Sequence, residues 1–318
     1  MPGEPDDDYR VVLDEGSLDW RHLSKAELRD VLVVFGDLLE PLADGRLAAF
    51  MDPAYSTECL PDLTLGDLIY TPHPAVPRDE RVRLAKLLDK CRALEPQEED
   101  LPQFVRVNKD GWKEASWGMT HTLVRAATGR AMSCLVVPVT PGPSGWTTVN
   151  RETDQVDIHI LSDPTEATGF WREIYTRELT PEDQFFTLSG LAFPELLFAP
   201  SLSFRRFKSA YTEVLPWLVR LLGALNDHFA DDLTDHAGDH NQVMARFSAL
   251  GLDISPESPL TRRNTKAWAE RLVTYRDTEY RCEWHGKRLW DRDRVHFSLP
   301  IPEQDGRILI GIFVDHLS

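Results

Sequence analysis

The C-terminal stretch of this 318-residue chain collects the residue types that move protons and hold anions. Across TEYRCEWHGKRL (278–289) and DRVHFSLP (293–300), polar and apolar residues alternate with the period of two that a strand imposes. Arg281, Glu283, His285 and Lys287 then share one face of the first strand, opposite Cys282 and Trp284. Arg294, His296 and Ser298 share one face of the second, opposite Val295, Phe297 and Leu299. With the apolar faces matched, a carboxylate, two imidazoles, two guanidinium groups and an ammonium group meet on one side of a small sheet. Such a surface suits a phosphodiester. Arg281, Lys287 and Arg294 would neutralise charge, while Glu283, His285 and His296 would pass protons, with no metal or other cofactor. The solvated side of an ordinary antiparallel sheet has the same alternation, so a purely structural face fits the pattern too.

The elements that must position these residues are legible in outline. GRILIGIFVDHL supplies a third strand, so the tail reads as a three-stranded antiparallel β-meander, preceded by a short helix around 266–273. ISPESPLTRR before it reads as a linker by composition. Near the other end, Ser24 and Glu27 have capping-box spacing, and Leu28, Val31, Leu32, Phe35, Leu38 and Leu39 follow at helical intervals as far as Pro41. A second helix starts near Pro77, and EPQEED (95–100) is a polar hinge. The middle alternates types: a strand at 104–108, a helix over 115–128, the buried strand SCLVVPV, and a hairpin whose Val156, Ile158 and Ile160 face inward. Helices starting at Asp163-Pro164 and Thr180-Pro-Glu-Asp183 follow, and then a long one around Pro216. The fold class is α+β. It comprises a helical N-terminal region (1–98), a central mixed α/β region with a small sheet (99–253) and the C-terminal meander (254–318).

Two further clusters merit weighing. Asp232, His236 and His240 fall at i, i+4, i+8, which on a continuous helix would align metal ligands. Gly238 and the neighbouring aspartates favour a solvated acidic helix end instead. Arg205 and Arg206, between Phe204 and Phe207, form a basic-aromatic patch of the kind that holds a nucleic acid strand, or that pairs with local carboxylates. Phosphate loops, GxGxxG and zincin motifs are absent from the sequence.

The formal net charge of −17 repels polyanions, but it is unevenly spread. Residues 255–318 hold eleven basic and ten acidic side chains, and the remainder holds 24 and 42. RNA contact is therefore expected at the tail. Cys59, Cys91, Cys134 and Cys282 are widely separated, which argues against a zinc ribbon or disulfide scaffold and points to a reducing, cytoplasmic setting. Cys282 and His285, three apart on a strand, face opposite sides and make no metal pair unless the segment is a turn. The acidic start predicts no secretory signal, and apolar runs are far shorter than the roughly 18 residues of a membrane span.

Arg294-Val-His-Phe297, a turn, then Gly306-Arg-Ile-Leu-Ile-Gly311 through His316 resemble the final strands of the RelE/ParE toxin superfamily. The resemblance covers the C-terminal ~40 residues, and such toxins are small and basic, unlike this chain. It implies a RelE-like module that cleaves mRNA, with Arg294 holding phosphate and His316 in the near-terminal acid/base position; ParE-like members act on gyrase instead. Two functions follow: a metal-independent endoribonuclease of toxin or defence type restrained by the acidic body, or a non-catalytic adaptor that binds a protein partner through an exposed strand.

Overall fold

The computed structural model describes residues 9–43, 46–107, 111–139, 142 and 144–315. It is α+β, and none of its helices is long and apolar enough to cross a membrane. The chain divides into two compact units, residues 1–170 and 171–318. This division does not coincide with the boundaries read from the sequence at 98 and 253, because strands on both sides of each position share a sheet.

The N-terminal unit contains β1 (Val11–Leu13), β2 (Ala48–Met51), β3 (Glu58–Leu60), β4 (Leu63–Thr64), β5 (Arg92–Leu94), β6 (Phe104–Val107), β7 (Lys113–Glu114), β8 (Ser133–Leu135), β9 (Gly145–Arg151) and β10 (Gln155–Leu161). Eight of these form one sheet in the order β5-β2-β1-β8-β10-β9-β6-β7, and β3 with β4 makes a separate pair. β5, β2, β1, β8 and β10 run parallel; β9, β6 and β7 complete the sheet antiparallel. The region expected to be helical, 1–98, thus contributes three strands to this sheet and holds the β3–β4 pair as well. VVL, AAFM and SCL are buried at every position, as parallel strands covered on both faces require. The helix Lys25–Ala43 has the anticipated capping box, with Ser24 N–H donating to Glu27 Oε2 at 2.8 Å and Glu27 N–H to Ser24 Oγ at 3.3 Å. It continues two residues past Pro41.

In the C-terminal unit, β11 (Leu196–Phe198), β12 (Asp253–Pro256), β15 (Trp284–Leu289), β16 (Arg292–Ile301) and β17 (Arg307–Val314) form a sheet in the order β11-β17-β16-β15-β12. β15, β16 and β17 are the anticipated antiparallel meander. Its apolar face packs aromatic rings: Phe229 lies 5.2 Å from Trp284 and 5.1 Å from Phe297, centroid to centroid. Gly286 admits the helix Tyr211–Ala224, since a Cβ there would meet Leu221 Cδ2 at 2.5 Å.

The opposite face of the meander is covered as well. TEYRCEWHGKRL is not one strand: β14 (Thr278–Arg281) pairs with β13 (Leu272–Tyr275), and the chain bends through Cys282 and Glu283 before β15 begins. Arg276 and Asp277, both at positive φ, make the tight turn of this hairpin. Val273 and Cys282 pack against Ile312 and Val314 on β17. The side of the sheet that the sequence pattern leaves to solvent is therefore partly an interior.

Candidate metal centre

Strand register builds a polar row across that second face. Ser255 on β12 pairs with His285 on β15, which pairs with His296 on β16, which pairs with Ile312 on β17. One step along, Asp253 pairs with Lys287, and Lys287 with Arg294. Glu257 follows β12 two residues after Ser255, and its backbone N–H donates to Glu283 O at 2.8 Å, keeping it beside the row. The chain then passes through short helices at Pro259–Arg263 and Thr265–Ala269 and returns at Arg271, immediately before β13.

Four side chains converge there, all buried: Glu257, Arg271, His285 and His296. Glu257 Oε1 lies 3.6 Å from His285 Nδ1, 3.3 Å from His296 Nδ1 and 3.0 Å from Arg271 Nε, which donates to it. Arg271 is itself held by Ala267 O at 2.7 Å. His285 Nε2 meets the Ser255 hydroxyl at 3.3 Å. Neither His285 Nδ1 nor either ring nitrogen of His296 has a properly directed hydrogen bond among the described residues. A buried polar atom left unpaired costs about 1–3 kcal/mol, and a ligand between the two Nδ1 atoms would satisfy two of these three.

Electrostatics prepares these groups for a cation. Burial, reinforced by the neighbouring His296 charge, pushes His285 down to about 3, and burial likewise lowers His296. Both imidazoles are then neutral at pH 7, with lone pairs to donate. For Glu257, burial is the largest influence and acts upward. It is outweighed by His296, Arg271 and the charge of His285, which hold the carboxyl at about 2. Since the histidines are neutral at pH 7, Arg271 is the permanent cation behind that ionisation.

No family profile, curated protein or solved structure matches this chain. Function therefore has to be argued from the site itself. Among the described residues, Glu257, His285 and His296 are the group whose potential ligand atoms all lie within 4.8 Å of one another. Bonds of about 2.0–2.1 Å to a tetrahedral ion put neighbouring donors about 3.3–3.4 Å apart, close to the separations from Glu257 Oε1 to the two Nδ1 atoms. Ser255 and Arg271 are placed as outer partners would be for a ligating imidazole and a ligating carboxylate. An open groove of about 380 Å³ between the helix His240–Ala249 and β12 is lined by residues 251–255, including Ser255.

The residues singled out in the sequence separate in space. His285 and His296 come together, and Lys287 and Arg294 flank them on the same face. Glu283 is adjacent in sequence but lies 3.9 Å from Arg262. Arg281 belongs to the hairpin, stacking 4.3 Å over Trp268 and donating to Trp268 O. Arg205 and Arg206 are exposed on a short turn whose Phe204 and Phe207 pack on Phe313, on the face opposite the histidines. His316 lies outside the described residues. Asp232, His236 and His240 do not share a helix: one ends at Asp235, and the next begins at His240 beyond the positive-φ pair Ala237 and Gly238. Sequence reasoning missed Glu257 and Arg271. Glu257 sits in the segment read as a linker, and its one signal is a lone carboxylate between two prolines.

Proposed function

We propose that the C-terminal unit is a mononuclear metal centre of the two-histidine, one-carboxylate type, with Glu257, His285 and His296 holding a divalent ion of the zinc class. The observation that carries this reading is the convergence of two neutral, buried imidazoles with unpartnered Nδ1 atoms on one ionised carboxylate oxygen. Two imidazole nitrogens and a carboxylate suit zinc-like ions better than magnesium or calcium, which prefer all-oxygen sets. Three protein ligands leave a coordination position for water, as in catalytic rather than structural zinc sites. Arg271 behind Glu257 adds positive charge, so an anion is the favoured occupant of that position. Lys287 and Arg294, one step along the row, extend the same preference to an anionic substrate. An ion held there would supply the chemistry of metal-assisted hydrolysis of an anionic ester, by lowering the pKa of a water molecule. Because both imidazoles lie inside the unit, an ion fits between them more readily than a polynucleotide does.

Zinc titration of the chelator-stripped full chain, in competition with a chromophoric chelator, tests the proposal. One equivalent should bind, and His285→Ala, His296→Ala and Glu257→Gln should each remove that binding. Ser255→Ala, which touches only the outer nitrogen of His285, should weaken it by roughly 10–100-fold. A parent chain that takes up no zinc would reduce the cluster to a buried ion-pair network and return weight to an adaptor role.

A further inference from the structure

A second site lies in the N-terminal unit, at the point where its parallel strands change direction of succession. From β1 the chain moves to β2 and β5 on one side, then returns to place β8 and β10 on the other. The strand order therefore reverses between β1 and β8, and in open α/β sheets ligands settle at the carboxyl ends beside such a reversal. A cavity of about 270 Å³ occupies that position. Asp14 follows β1 into it and Val137 follows β8. Val107, Met119 and Ile160 add apolar walls, and Lys113 stands at the exposed side.

Related crevices commonly receive a phosphate at the N-terminus of the adjoining helix. Here that position is filled by the protein. The helix Trp117–Ala127 directs its first N–H groups at Glu15, whose carboxylate accepts from Trp117 N at 2.6 Å and Gly118 N at 3.0 Å. Gly118 permits this close seating, since a Cβ would meet Leu13 O at 1.9 Å. Ser116 Oγ accepts from Met119 N and donates to Asp14 Oδ1 at 2.6 Å, and Gly16 N–H donates to the same oxygen at 3.0 Å. Asp14 is thereby fixed beside its chain neighbour Glu15. Burial raises the proton affinity of both carboxyls, against the lowering influence of their hydrogen bonds. A fixed carboxyl facing the cavity, as Asp14 does, favours a ligand that brings positive charge or a hydrogen-bond donor.

We propose that this cavity binds a small primary amine with an apolar body, its amino group on Asp14 and its hydrocarbon part against Val107, Met119, Val137 and Ile160. Lys113 at the exposed side suits a carboxylate on the same molecule, so an apolar α-amino acid is the most complementary form. The site is independent of the metal centre, and its test is run with chelator present.

Isothermal titration and ligand-observed NMR on the full chain would use four probes: isopentylamine, L-leucine, isovalerate and inorganic phosphate. The two amines should bind saturably at one site, with L-leucine the tighter, while isovalerate and phosphate should not. Asp14→Asn should lower amine affinity at least tenfold. Because that change also disturbs the bond to Ser116, Val139→Phe provides a second variant. Val139 lines the cavity from a partly exposed loop, so the larger ring should block binding while circular dichroism stays unchanged. Absence of saturable amine binding, equal binding of isovalerate or phosphate, or full binding by both variants would overturn the proposal.

Discussion

Glu257→Ala should destabilise the C-terminal unit by about 3–5 kcal/mol, because it removes the buried carboxylate that lies 3.0 Å from the buried Arg271 guanidinium. Arg271 is 2% exposed; besides Glu257 it donates to Ala267 O at 2.7 Å and, at the longer distance of 3.5 Å, to the Glu270 carboxylate. Neither compensates for a charge that cannot reach water. Glu257→Gln keeps the volume and an acceptor for Arg271 Nε, so its loss should be smaller. Replacing both members, Glu257→Leu with Arg271→Met, should restore most of the stability, since buried ion pairs seldom outperform well-packed apolar groups. Urea unfolding at pH 7.5 in chelator, followed by tryptophan fluorescence, measures all three. If Glu257→Ala costs less than about 1 kcal/mol, Arg271 is not dependent on it and the picture of a closed buried cluster fails.

The second large effect is on pH dependence in the metal-free chain. In the unfolded state the two imidazoles titrate near 6.5, whereas burial in the folded state pushes His285 down to about 3 and lowers His296. Below pH 6.5 the unfolded chain takes up protons that the folded chain refuses, so stability falls with pH. The limiting slope of about 1.4 kcal/mol per pH unit is reached only well below 6.5, so lowering the pH from 6.5 to 5.5 should cost about 1 kcal/mol through His285, with a further loss in the same direction through His296. The loss continues until the pH approaches the folded values. Glu257 acts in the same direction at lower pH: its contribution is complete above 4.5 and is lost as the pH falls towards 2. Unfolding midpoints at pH 7.5 and 5.5, for the parent and for His285→Gln/His296→Gln, show whether the slope resides in this pair. A parent equally stable at both values would mean that the imidazoles are not held neutral.

Much of the fold could be read where local chemistry and tertiary structure agree. The capping box at Ser24 and Glu27, the inward alternation of Val156, Ile158 and Ile160, and the three strands of the meander are such places. β1, β2 and β5 escaped because strands of three or four residues are shorter than any window in which a period can be counted. The metal centre was half legible. Alternation alone places His285 and His296 on one face, and the register then makes them direct neighbours. Nothing in the alternation reveals that a hairpin folds back over that face, because the bend at Cys282 and Glu283 interrupts a pattern that reads as continuous. Glu257 was hidden for a different reason. β12 is an edge strand, where proline is tolerated, so ISPESP has a linker's composition while it supplies the carboxylate of the cluster.

X-ray absorption at the zinc edge, on the full-length chain loaded with one equivalent, addresses the central claim most directly. The expected spectrum contains nitrogen and oxygen neighbours at about 2.0–2.1 Å, the outer-shell scattering of two imidazole rings, and no sulfur at about 2.3 Å. In His296→Ala the zinc should be lost, and the imidazole scattering with it. A spectrum dominated by sulfur, by water alone, or unaltered by His296→Ala would place the metal elsewhere and contradict the assignment of Glu257, His285 and His296.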